Sequence, residues 1–214
     1  MVKGINKVIK VLILSDLAIL TGEGFAAPIF AIFLTDNIKG GSIEVVGFAA
    51  AIFWVVKSLF VIPCGHYLDK RTGEKDDLYF IIVGNILAAL SIFGYIFSRL
   101  PWHIYFLQVI YGIGMAMNIP AYTAVFTRHI DKGREAFDWS VRSALTGTGA
   151  GVAGGLGGII AYNFGFNTLF VVVGIFIVLS ALLPFLISKE MKLRDGGAPR
   201  VPEVKTTQSF ISKE

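Results

Sequence analysis

The sequence predicts an all-α integral membrane protein with six transmembrane helices. Three observations carry that expectation. The 214-residue chain is 55% hydrophobic and only 16% charged, with mean hydropathy +0.70, whereas charged residues make up roughly a quarter of a soluble chain. Six apolar runs, at residues 8–34, 45–67, 78–97, 104–126, 141–162 and 168–187, each approach the ~20 residues that cross a bilayer core. The alternating pattern of membrane β-strands is missing, and backbone in lipid must close its hydrogen bonds within each segment, as a helix does. Residues 1–190 therefore read as one transmembrane domain. The Gly-, Pro- and charge-rich 191–214 read as a disordered cytoplasmic tail.

The first run begins among Lys3, Lys7 and Lys10. It is too long for a signal peptide and has no clear small-residue cleavage site, so it is expected to stay as helix 1. It carries Asp16 and Glu23, seven residues apart and hence on one face. The second run carries Lys57. A charge at the bilayer centre costs ~2.5–3.5 kcal/mol even on the lenient insertion scale. Glu23 and Lys57 each lie within about 3 Å of the midpoint of their run. On antiparallel helices they are expected to meet at the midplane, as a structural pair or as a substrate or proton site. Asp16 has no evident partner in the sequence and is the expected proton carrier.

Between the second and third runs, Gly65 through Lys75 forms a short, charged, glycine-bounded stretch, read as a tight turn at the membrane surface. The fourth run places Gln108, Tyr111, Met115, Asn118 and Tyr122 on one face. Lipid offers such a face no partners, so it meets other helices or lines a cavity. The fifth run carries Ser140, Ser143, Gly147, Gly151, Gly154 and Gly158 along one stripe. Such glycines let helices approach closely, within the bundle or against another half. Gly22-Glu23-Gly24-Phe25-Ala26-Ala27-Pro28 in the first run echoes Gly112-Ile113-Gly114-Met115-Ala116-Met117-Asn118-Ile119-Pro120 in the fourth. A 3+3 inverted repeat has this form.

Charge placement orients the chain. Of 19 Lys and Arg residues, only Lys39 and Arg99 fall in the connections opposite the N-terminus, and Lys57 lies mid-helix. By the positive-inside rule both termini are cytoplasmic, and Trp102 is an outer interfacial anchor. Cations placed this way suit a phospholipid surface and not nucleic acid. An enzyme is excluded. Cys64 stands alone and can form no internal disulfide. His66, His103 and His129 fall in or near three different connections, which leaves no metal cluster. The Gly-rich fifth run lacks the Gly-Lys-Ser/Thr ending of a phosphate loop. No cofactor is expected; lipid and a small-molecule substrate are.

Together these motifs resemble the major facilitator superfamily. Gly65, Asp69 and Lys70 match the spacing of the signature joining its second and third helices, and Arg71-Thr72 puts one extra residue before Gly73. LQVIYGIGMAMNIPAY is similar to the fourth-helix signature, with Gln108 where an arginine usually stands. DKGREAFDWSVRSALTGTGAGVAGGLGGIIAYNFGFNTLF is similar to the loop and fifth helix that follow, with the usual proline replaced by glycine or alanine. The family normally has twelve helices in two halves, and the chain resembles the N-terminal half alone. The resemblance implies half of a major facilitator fold and a gating loop at Gly65, Asp69, Lys70, Arg71 and Gly73. It also implies a half-size secondary transporter of a small solute in the cell (inner) membrane, working by alternating access. Two copies, or this chain and a separate second half, would meet through helices 2 and 5. The alternatives are a non-transporting membrane scaffold or assembly subunit, and an N-terminal fragment of a twelve-helix transporter.

Overall fold

A computed structural model describes residues 5–70, 73–130 and 133–190. The tail expected at 191–214 and Arg71 of the expected gating loop lie outside them. Helix α1 (Lys7–Ala26) is capped by the Asn6 side chain, which accepts from the Ile9 N–H at 2.9 Å. It stops at Pro28, which has no N–H to continue the ladder, and α2 (Phe30–Asn37) leaves at a 44° bend. The first apolar run is thus a broken pair. α3 (Ile43–Lys70) runs for 28 residues, past Gly65 to Lys70. Most of the stretch read as a surface turn is therefore helix, because Leu68 is buried in an apolar cluster and anchors the extra turn.

α4 (Lys75–Tyr95) carries Asp76 and Asp77 in its first turn, where the helix dipole favours anions. α5 (Pro101–His129) starts on a proline, the residue preorganised for that position. α6 (Glu135–Leu182) is divided at Gly165, whose φ of 81° and ψ of 167° suit glycine. Its arms, 135–164 and 166–182, precede a 3-10 turn at Leu183–Ile187. No β-strand occurs among the described residues. α3 to α6 are each long and apolar enough to cross a membrane, and the bent α1–α2 pair makes a fifth candidate. At 1.5 Å per residue, α6 has the length of two crossings.

Contacts sort the ends of the bundle. Lys7 pairs with Glu190, the Asn6 amide donates to the His129 carbonyl, and Arg128 pairs with Glu74 at 3.1 Å and with Asp77. The start of α1, the α3–α4 connection, the end of α5 and residue 190 therefore share one end. At the other, the Lys39 N–H donates to the Arg99 carbonyl at 3.0 Å.

α1 packs against both arms of α6, α5 packs against α3 and α4, and α4 meets α6. Small residues make these approaches possible. A Cβ on Gly84 would lie 2.5 Å from the Gly114 carbonyl oxygen, and one on Gly24 would lie 2.7 Å from the Ala150 Cα. Two apolar cores result. One gathers Phe25, Phe33, Ile92 and Phe170; the other gathers Ile9, Leu12, Ile81 and Phe126.

A buried polar layer separates the two cores. The Asn118 amide donates to Asn85 Oδ1 at 2.6 Å, the Asn85 amide donates to Ser180 Oγ at 2.7 Å, and the Ser15 hydroxyl donates to the Ser180 carbonyl at 2.8 Å. Four helical segments are tied by one chain of hydrogen bonds, which averages ~0.6 kcal/mol per bond inside lipid.

Candidate functional site

The break between α1 and α2 opens a cavity of about 390 Å³, within the range of small-molecule sites. Its walls are aromatic: Phe30, Phe53, Trp54, Tyr95 and Tyr111. Glu23 and Gln108 supply its polar side chains beside the tyrosine hydroxyls. Helical geometry explains how Glu23 arrives there. It lies one turn before Pro28, on the stretch where α1 ends, and its backbone carbonyl still accepts from Ala27 at 2.9 Å.

Glu23 and Lys57 do not form an ion pair in the structure. The Tyr111 hydroxyl donates to Glu23 Oε1. The Lys57 ammonium sits 3.3 Å from the Trp54 ring centroid and 5.1 Å from that of Phe53. Trp54 lines the cavity, and Lys57 stacks on its ring without lining the cavity itself. Cation–π contacts of this kind contribute ~0.5–2 kcal/mol. The spacing Trp54-x-x-Lys57 puts ring and ammonium on one helix face, a signal present in the sequence.

Of the fourth-run face, Gln108 and Tyr111 line the cavity. Met115 packs on the neighbouring apolar core, and Asn118 belongs to the polar layer. Tyr122 lies at the opposite end, its ring 5.3 Å from the Arg142 guanidinium. Arg142 also corrects the expectation that Asp16 has no partner. Arg142 Nη2 lies 2.7 Å from Asp16 Oδ2, so Asp16 is one side of an ion pair between α1 and the first arm of α6.

A sequence model of the Major Facilitator Superfamily matches residues 12–212. The chain belongs to this superfamily. No curated protein sequence matches it. Among solved structures it is similar to the in meso crystal structure of the POT family transporter PepTSo, with a TM-score of 0.73 at 14% identity. The match covers 92% of this chain and 40% of that one, so the chain spans less than half the length of the structure it matches. At that identity the likeness shows the fold.

Gly65, Asp69 and Lys70, expected from the sequence to belong to a gating loop, fall on the last turns of α3, with Asp69 and Lys70 exposed. Gly73 lies in the short connection that follows. The glycine stripe divides. A Cβ on Gly154 would lie 3.6 Å from the Gly24 carbonyl oxygen, whereas Gly147, Gly151 and Gly158 face open space. The close approach to α1 is made instead by Gly149 against Thr21 and Gly157 against Phe25. Sequence reading also passed over Ser15, Asn85 and Ser180. Each is a polar residue inside an apolar run, which was the available signal.

Proposed function

We propose that the chain is a half-size secondary transporter of a small solute, working by alternating access with a second copy of itself. The observation that carries this reading is the aromatic cavity, which holds the Glu23 carboxylate and has the Lys57 ammonium stacked on Trp54 of its wall. A scaffold has no need of a site so costly to embed. Six crossings arise from the bent α1–α2 pair, α3, α4, α5 and the two arms of α6. The packing supports two three-helix repeats. The first crossing packs on the fifth and sixth as the fourth packs on the second and third. The polar layer repeats that relation, Ser15 with Ser180 and Asn118 with Asn85.

Dimerisation through α3 and the first arm of α6 is supported by what those segments leave uncovered. α3 buries Val45, Ala49 and Leu68 in 28 residues, and three of the stripe glycines touch nothing. The end holding Lys7, Glu74, Arg128 and Glu190 is taken as cytoplasmic from the distribution of Lys and Arg. The tail at 191–214 is taken to follow on that side. Solute counterflow into liposomes containing only this chain tests the function. Counterflow that Glu23→Gln abolishes is the expected result. A chain that stays monomeric in bilayers and moves no solute overturns it.

A further inference from the structure

Among the described residues that line the cavity, Glu23 alone carries a charge. It is half-buried, and the Tyr111 hydroxyl donates to its Oε1. Among the described residues its Oε2 accepts from no group. A neutral donor on one oxygen supplies no counter-charge. Aromatic faces make up the rest of the site. The ring centroids of Phe30 and Tyr95 lie 5.2 Å apart and those of Phe53 and Tyr111 5.3 Å apart, and all four rings line the cavity. Such faces attract cations through the ring quadrupole. The protein's own ammonium obeys this rule just outside the lining, where Lys57 rests on Trp54 and Phe53. Phe30, Tyr95 and Tyr111 hold no cation among the described residues.

We infer that the cavity binds an organic monocation with an apolar body, an alkyl- or arylalkylammonium. The ammonium meets Glu23 Oε2, and the carbons beside it, which share its charge, lie against Phe30, Tyr95 and Tyr111. A carboxylate ligand brings a second negative charge to Glu23 in apolar surroundings, where like charges repel most strongly. A neutral ligand with the same body keeps the apolar contact and forgoes the ion pair. As a substrate class the monocation rests on the transport reading; as a bound ligand it rests on the cavity alone.

Calorimetry of the full chain in lipid nanodiscs at neutral pH, against empty discs, tests it. The probes share a phenyl-bearing body and differ in the head: 3-phenylpropylamine, 3-phenylpropanol, 3-phenylpropanoate and phenylalanine. The amine should bind about tenfold more tightly than the alcohol, the worth of one charge-assisted hydrogen bond. The propanoate should bind more weakly than the alcohol. Glu23→Gln should bring the amine down to the affinity of the alcohol, whereas a merely structural Glu23 would lower both together and overturn the assignment. Phe30→Leu keeps the charge and an apolar wall but removes a ring face. It should weaken the amine about threefold relative to the alcohol. Equal binding of amine and alcohol, tightest binding of the propanoate or of phenylalanine, or an unaltered amine-to-alcohol ratio in either variant overturns the inference. Amine binding without counterflow in liposomes upholds the cation site and overturns the transport reading. Counterflow of the propanoate with no binding preference for the amine does the reverse.

Discussion

α1 and α3 are both strongly apolar helices near the start of the chain, yet the bundle treats them oppositely. Twelve of the 20 residues of α1 are buried, against three of the 28 in α3. Lipid tails are as apolar as leucine, so hydropathy does not decide which helix goes inside. Small and polar residues decide it. α1 offers Ser15, Asp16, Gly22 and Gly24 to its neighbours, while α3 turns Phe48, Leu59, Phe60 and Ile62 outward. The first arm of α6 sharpens the rule by half obeying it. Gly149 and Gly157 pack on α1, while Gly147, Gly151 and Gly158 on the same arm pack on nothing. These open positions are where the proposed second copy would pack.

Breaking an inner contact should have the largest effect. Gly84→Val drives a side chain into the Gly114 carbonyl and the Asn118 backbone, and should destabilise the chain by about 3 kcal/mol, read as a lower unfolding midpoint in detergent titration. Arg142→Met comes next. It strands Asp16, whose side chain is 10% exposed against 26% for Arg142. That exposure brings the loss to about 2–3 kcal/mol, below the range for a fully buried pair. Adding Asp16→Asn should recover most of it in the same titration. Asn85→Leu removes two bonds of the polar layer and leaves the Asn118 amide unsatisfied, while Ser180 Oγ keeps the Ser15 hydroxyl at 3.2 Å, a loss of about 1–2 kcal/mol. Gly151→Leu should change the unfolding midpoint least, by under about 0.5 kcal/mol. It should nevertheless abolish energy transfer between labelled copies in liposomes. Retained transfer would return that face to lipid.

Much of the fold was legible because membrane crossings announce themselves by length. The break at Pro28 and the division of α6 fall at a proline and a glycine whose local effects are known. The extension of α3 to Lys70 was hidden, since only the burial of Leu68 shows that the charged stretch stays helical. At the site, Glu23, Gln108 and Tyr111 were readable as costly or polar residues on one face of a helix. Their partners were less so. Asp16 finds Arg142, and Lys57 finds Trp54 in place of Glu23. Spacing along one helix puts residues on a face, but rotation of that helix against its neighbours selects what the face meets.

The polar layer and the site also impose an order of assembly. Glu23 waits for Tyr111, 88 residues further on, and Ser15 waits for Ser180, 165 further on. At about 5–20 residues per second, those partners emerge roughly 5–30 s after the helix that needs them. α1 therefore enters the bilayer with two carboxylates and a hydroxyl still unpartnered, and it docks against a segment made much later, the second arm of α6. Synthesis leaves α1 waiting for partners that come much later in the chain. Until the second arm of α6 arrives, the newborn chain depends on whatever shelters α1 at the site of insertion.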